Sequence, residues 1–330
     1  MRSSRLSRLT LGAAVYVIAV GLAGCSPTTY KPAVDDFATA SVKASTAYLA
    51  LRDDMIAADL ERRKQRTLRR ELQIRPLKGD CGDETERCRL EAVDRDGKVE
   101  PLVTELPGIN AALTGITDYA AALQAVVNAD TASKVNASLA AASASINTMA
   151  ASLAKIPGGE TASADTAAFA TPVGAAAGWL AGQYVIYLQI DALREATTKA
   201  NPVIKTAGHI LSSAHKLAVR QLRRTSAARA NAARNAYRDS PRDAAALDRF
   251  IAASADDDRV RTATHDDPFT AMVEAHDKLT QRLNGKDISQ ADLTAIVKDF
   301  SQRAEALRKI VADIQAARDK LQKSSQKATN

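Results

Sequence analysis

The stretch that decides the fold runs from Ser289 to Leu321, SQADLTAIVKDFSQRAEALRKIVADIQAARDKL. Ser289 stands at an N-cap position with Asp292 three residues on, and Ile288 and Leu293 have the spacing of a hydrophobic staple across that cap. Val297, Phe300, Ala304, Leu307, Val311, Ile314 and Leu321 then hold a period of about 3.5 residues. That is the period of a helix with one seam turned toward partner helices. The helix is expected to end near Lys323, with 324–330 a frayed tail.

The same signature recurs upstream. Val34, Phe37, Ala44, Tyr48, Leu51, Met55, Ala58, Leu68 and Leu72 predict a helix from about Pro32 to Leu72, closed by Pro76 and Gly79. Pro107-Gly108 opens a second helix, to about Val127. Asp130 or Thr131 starts a third, whose seam is Val135, Leu139, Ala142, Ile146, Met149, Leu153 and Ile156. Pro157-Gly158-Gly159 ends it, and the Gly-, Ala-, Ser- and Thr-rich stretch 158–170 reads as a loop. Thr171-Pro172 begins a fourth helix, to about Tyr237, kinked or interrupted at Pro202. Ser240-Pro241-Arg242-Asp243 caps a short helix to about Ser254, and Asp256-Asp257-Asp258 is expected to break the chain. Asp267-Pro268 opens a helix to Leu283, and Asn284-Gly285-Lys286 is a turn.

The predicted fold is therefore all-α. It is an elongated antiparallel helical bundle with coiled-coil-like seams, read as one domain over 32–323. Composition agrees, with 46% hydrophobic residues but only 4% aromatic. Alanine is the best helix former but buries little area, so the seams should be thin and closely spaced. One insertion departs from the pattern. In 77–106, short extended runs flank Asp96-Gly97, which predicts a small two-stranded flap.

The first residues carry a different signal. Arg2, Arg5 and Arg8 precede an uncharged stretch, Leu11–Leu22, too short to span a bilayer comfortably. Leu22-Ala23-Gly24-Cys25 follows. This arrangement resembles the lipobox signal of bacterial lipoproteins and matches it at every position. The resemblance covers residues 1–25 only. It implies that the signal 1–24 is removed and that Cys25 carries diacylglycerol and, on its new amine, an acyl chain such as palmitate. Two or more chains anchor a protein stably. Ser26, where an aspartate would retain the protein at the inner membrane in enteric-type sorting, implies the outer membrane. Residues 25–31 then read as a lipidated tether.

Export places Cys81 and Cys88 in an oxidising compartment. With Cys25 lipidated they are each other's only partners, and a structural disulfide across the flap is expected. Closing so small a loop contributes about 2–3 kcal/mol in the chain-entropy model. Six intervening residues do not match a redox pair. No third cysteine or histidine lies nearby to complete a metal site.

Net charge is +7, of which three positive charges sit on Arg2, Arg5 and Arg8 and leave with the signal. The remainder is too mild to argue for nucleic acid. Two basic runs are candidates for contact with an anionic partner. One is Lys216, Arg220, Arg223, Arg224, Arg229, Arg234 and Arg238; the other holds Arg62, Arg63, Lys64, Arg66, Arg69 and Arg70. Arg220, Arg223, Arg224, Arg62, Arg63 and Arg66 are the positions singled out. The competing reading is a solvated face paired with Asp53, Asp54 and Asp59. The uncharged segment 167–190, with Gly174, Gly178 and Gly182 four apart, reads either as a bilayer-entering helix or as a tightly crossed core helix. His209, His215, His265 and His276 show no full metal-ligand set.

Catalytic signatures fail. There is no G-x-S-x-G, H-E-x-x-H, P-loop or dinucleotide fingerprint. Ser-x-x-Lys at Ser152, Ser213 and Ser324 lacks its companion motifs, and Asp94-Arg95-Asp96-Gly97 lacks the rest of a calcium loop. No cofactor is called for. The expectation is a non-enzymatic, membrane-anchored binding or scaffold lipoprotein with an envelope protein partner. The rivals are a membrane-active protein inserting 167–190, and an immunity or inhibitor lipoprotein acting against a periplasmic toxin.

Overall fold

The computed structural model describes residues 27–76, 90–100, 107–156, 181–262 and 267–327. Among them the chain is mostly helical, with one small antiparallel sheet. In order the elements are α1 (Pro27–Leu68), β1 (Leu72–Pro76), β2 (Leu90–Asp94), β3 (Val99–Glu100), α2 (Pro107–Val127), α3 (Ala132–Leu153), α4 (Ala181–Asp239), α5 (Ala244–Thr262), α6 (Pro268–Leu283) and α7 (Gln290–Lys327). The lipobox cysteine Cys25, the pair Cys81 and Cys88, and the loop 158–170 lie outside the described residues.

The described residues fall into two compact units, where the sequence reading treats 32–323 as one domain. The first draws on Met1–Ser45, Ala111–Ile210 and Pro268–Ala304; the second on Thr46–Asn110, Leu211–Asp267 and Glu305–Asn330.

Helix α1 differs from expectation at both ends. It begins at Pro27, so residues 27–31 are helical and Pro32 lies inside it. So near the start, the missing N–H of Pro32 forfeits a single backbone bond. The helix also stops at Leu68 rather than Leu72. Arg70 takes a positive φ of 59°. Its N–H donates to the Thr67 carbonyl at 2.9 Å, and that of Glu71 donates to Arg66 at 2.9 Å. This is a Schellman closure made without glycine. Leu68, expected in the seam, is therefore 69% exposed, while Leu72 is 2% exposed in a strand.

That early stop creates a third strand. β1 pairs with β2 from Leu72↔Asp94 to Pro76↔Leu90, and β2 pairs with β3 through Ala92↔Glu100 and Val93↔Val99. The expected hairpin around Asp96-Gly97 is present, with Gly97 at φ 78°. Asp94 Oδ1 secures the turn by accepting from the N–H groups of Asp96 at 3.0 Å and Lys98 at 2.8 Å. A two-stranded ribbon is marginal alone, so recruiting β1 is the physical reason the flap extends outside 77–106.

Four helices keep their expected starts, α2 at Pro107 among them. Thr131 caps α3, accepting from the Lys134 N–H, and the α3 seam from Val135 to Ile156 is buried throughout. α6 opens at Pro268. At the head of α7, Ser289 Oγ accepts from the Asp292 N–H at 3.0 Å and donates to the Asp292 carboxylate at 2.7 Å. The α6–α7 turn closes on Gly285, at φ 77°. α4 passes through Pro202 as one continuous helix. α5 also runs on through Asp256-Asp257-Asp258, where a break was expected. Two of its three acids are held by partners instead. Arg229 Nη1 donates to Asp256 at 3.2 Å; Ser226 Oγ and Arg261 Nε donate to Asp257 at 2.7 and 2.8 Å. The cap of α5 is Asp243, whose carboxylate accepts from the Ala245 N–H at 2.9 Å.

Thin seams show as close backbone approach in the first unit. A Cβ placed on Gly115 of α2 would lie 2.8 Å from the Met149 Cβ of α3. Aromatic rings fill the wider places. Phe37 lies 5.7 Å from Phe300 and 5.9 Å from the His276 ring, and Tyr119 lies 5.6 Å from His276.

His276, fully buried, joins a polar chain. Its Nδ1 and the Asn201 Oδ1 are 3.2 Å apart, and its Nε2 lies 2.9 Å from the Tyr119 hydroxyl. Asn201 Oδ1 can only accept, so the network assigns the proton to Nδ1, and the Tyr119 O–H donates to Nε2. Asn201 Nδ2 passes the chain on to Asp277 at 2.9 Å, where Lys205 also donates, at 2.8 Å. Burial pushes His276 down to about 3, against a weaker opposing pull from Asp277. Burial likewise raises Tyr119 well above its ordinary value and lowers His215.

Two predictions follow from this packing. Gly115→Ala would stabilise a free helix by about 1 kcal/mol; here overpacking against Met149, of about 1–3 kcal/mol, reverses the sign, and thermal unfolding should show a lowered Tm. For pH, the unfolded chain protonates His276 near 6.5 whereas the folded chain resists until about 3. Stability is complete above about 6.5 and falls as pH drops through that window. Urea unfolding across the range should show this slope, and His276→Gln should reduce it, leaving the shares due to His215 and to the lowered carboxyls of Asp59 and Asp277.

Candidate functional site

The second unit holds a core of Ala47, Leu51, Met55, Ala218, Leu222, Val260, Leu307, Val311 and Ile314, among others. Beyond Met55 on α1 no large apolar residue is fully buried, and beyond Leu222 on α4 none occurs before Tyr237. From Ala227 to Ala236, α4 presents mainly alanine, arginine and asparagine. Alanines cannot fill the space facing another helix, and a groove of about 460 Å³ remains. That size lies within the range of small-molecule sites. α1 lines it with Ala58, Glu61, Arg62 and Arg66, joined by Arg69 in the turn that follows; α4 lines it with Thr225, Ala228, Arg229 and Ala232.

The helical period accounts for the arginines. Arg62 and Arg66 are spaced i, i+4 and share one face of α1, and the turn after Leu68 brings Arg69 beside them. Arg63 points elsewhere and is buried. Its Nε donates to Asp59 Oδ2 at 2.6 Å, while Arg62 Nη2 donates to Asp59 Oδ1 at 2.7 Å and Gln221 to the same oxygen at 3.3 Å. Burial acts to raise the Asp59 carboxyl, but the two arginines outweigh it and hold Asp59 below the usual carboxylate range. One carboxylate thus serves two guanidiniums. A second one, Glu71, lies 3.6 Å from Arg66 and 4.0 Å from Arg69, beyond hydrogen-bond length. The charged lining of the groove is then Arg62, Arg66, Arg69 and Arg229 against Glu61, a net positive wall. Across from them, Arg229 is tied to Asp256. Arg62 Nε and Asp256 Oδ1 are buried atoms without a hydrogen-bond partner among the described residues.

The structure brings together part of each basic run. Of the positions singled out from sequence, Arg62 and Arg66 line the groove and Arg63 supports it from within. Arg220 and Arg224 are exposed on α4 and are not among the lining residues. Arg223 donates to the Arg261 carbonyl at 3.1 Å, holding α4 to the end of α5. Asp59 pairs as the competing reading expected; Asp53 pairs with its neighbour Arg52 instead. Arg69, Arg229 and the alanine wall were not singled out. Their signal was the helical spacing within each run, legible only once the facing helix is known.

Of the segment 167–190, residues from 181 are helical, and Leu188, Gln189 and Ile190 are buried in the first unit. Gln189 Nε2 donates to the carbonyls of Ala129 at 2.7 Å and Val127 at 3.3 Å. Among the described residues no helix is long and apolar enough to cross a membrane. Among them, too, no group of three or more His, Cys, Asp or Glu is placed to hold a metal ion. No family model, curated protein or solved structure matches the chain.

Asp59 is 2% exposed. Asp59→Ala leaves Arg63 buried without its charge partner, which should cost about 3 kcal/mol or more in chemical denaturation. Arg69→Ala, at an exposed position, should stay within about 0.5 kcal/mol.

Proposed function

We propose that this chain is a non-enzymatic binding or scaffold lipoprotein of the cell envelope, anchored through acylated Cys25 and engaging an anionic partner at the arginine groove. The observation that carries the reading is the convergence of Arg62 and Arg66 from α1, Arg69 from the turn after it and Arg229 from α4 on one concavity. Arginine forks suit carboxylate and phosphate.

The anchor rests on the lipobox resemblance, and the outer-membrane location on Ser26. The elongated antiparallel bundle with coiled-coil-like seams remains part of this proposal, supported by the buried seam positions of α3 and α7. So does the disulfide between Cys81 and Cys88. The Pro76↔Leu90 pairing brings the two ends of the 77–89 segment together, which favours a closure within it. Insertion of 167–190 into a bilayer has less support, because Leu188, Gln189 and Ile190 would have to leave their packing.

The test is made in cells. Cys25→Ala should abolish palmitate incorporation and move the chain out of the membrane fraction. A photoreactive residue at Ala228 should give a discrete adduct with an envelope protein, lost in an Arg66→Glu, Arg69→Glu variant. Membrane retention without Cys25, or substrate turnover by the purified chain that a point change in the helical body abolishes, would defeat the proposal.

A further inference from the structure

We infer that the outer face of α4 in the second unit is a docking surface for an anionic bilayer, held to it by a row of arginines that the fold leaves unpaired. The surface is separate from the groove, and it requires neither a ligand there nor the acyl anchor.

Between Glu195 and Asp239, α4 carries no acid. Within that stretch, positions 216, 220, 224, 227, 231, 234 and 238 step by three or four, the repeat of one helix face. On it Lys216, Arg220, Arg224, Asn231, Arg234 and Arg238 are all exposed. At 1.5 Å per residue the row is about 33 Å long. Helix α5 packs on a different face of α4, through Arg223, Ser226 and Arg229. Its buried acids are held there: Asp256 by Arg229, and Asp257 by Ser226 and Arg261. The two ends of the row have acids near them, Asp267 at 3.8 Å from Lys216 and Asp239 at 3.5 Å from Arg238. Between those ends, Arg220, Arg224 and Arg234 make no hydrogen bond or ion pair among the described residues. From Leu211 to Thr262, with exposed Asp248 and Asp258 included, eleven Lys and Arg stand against six Asp, so the surroundings add to the positive field.

Like charges four apart on a helix repel, and an anionic surface relieves that repulsion. A protein partner would need a desolvated core, where aromatic residues are enriched and charge is sparse. The row has no aromatic and no large apolar residue; Leu217, 55% exposed, lies beside it. A basic row without an apolar face suits lying on anionic headgroups rather than entering the acyl region. Guanidiniums fork onto the headgroup phosphates, and each one near the surface strengthens the attraction about fivefold.

The full chain, as purified from cells, carries a fluorophore on a non-natural residue at Asn231 and is mixed with vesicles containing a nitroxide-headgroup lipid. With phosphatidylcholine plus phosphatidylglycerol the fluorophore should be quenched. On phosphatidylcholine alone the quenching should be lost, and likewise at about 1 M salt, where the Debye length falls to about 3 Å. Arg220→Gln with Arg224→Gln and Arg234→Gln keeps helix propensity. This variant should retain its melting curve, weaken the attraction about a hundredfold and remove the quenching. Lys98→Gln with Lys134→Gln and Lys286→Gln removes the same charge at exposed positions off the row and should leave the quenching in place. Quenching that persists on phosphatidylcholine alone, persists in the arginine variant, or is lost equally in the lysine variant overturns the inference. An unquenched Asn231 position overturns it too; a discrete protein adduct from a photoreactive residue there in cells would then assign the row to an acidic protein.

Discussion

Backbone separation is the constraint on which this protein depends. Alanine-rich helices gain little area per residue, so they hold together only when their axes come close. Gly115 against Met149 and Gly208 against Val273 mark where no Cβ would fit without movement. Close axes leave little room for large side chains, so those present are concentrated. Phe37, Tyr119, Phe269 and Phe300 are fully buried in the first unit. A polar residue placed among them must be satisfied by particular neighbours. The chain from Tyr119 through His276 and Asn201 to Asp277 does this in one direction only, and such a network sets which residues face one another.

The same shortage of side-chain volume has the opposite outcome in the second unit. Where α4 turns to alanine and arginine, there is nothing to fill the space beside α1, and a groove stays open. Charge then orders its wall. Asp59, buried, draws Arg63 inward and fixes Arg62. Core economy and groove chemistry are two consequences of one composition.

Much of the helical layout was legible in the chain. The seams of α3 and α7, the Ser289 cap, the Asp96-Gly97 hairpin and the opening prolines of α2 and α6 are local signals that their neighbours reinforce. The misreadings share a cause. Asp256-Asp257-Asp258 reads as a break because three adjacent acids repel; Arg229, Ser226 and Arg261 remove that penalty, and two of the three lie far away in sequence. Leu72 continues the α1 pattern numerically, yet Arg70 turns the chain and β2 captures Leu72 instead. Pro32 reads as a start because proline suits a first helical turn; the helix instead begins at Pro27 and carries Pro32 within it. The groove was legible only in halves. Each basic run showed its arginines, while α4's alanines looked like ordinary helix formers.

What the sequence by itself determined is local: where helices form, which residues line each seam, where the hairpin turns, and a lipobox-like beginning. Periodicity and capping act within a few residues, so a single strand of text contains them. What only the tertiary structure decided is which faces meet. It selected Arg66, Arg69 and Arg229 over Arg220 and Arg224, made Asp59 a shared counter-charge, and joined His276 to Tyr119. Those outcomes depend on groups far apart in the chain, whose desolvation and pairing energies exist only once the helices have packed.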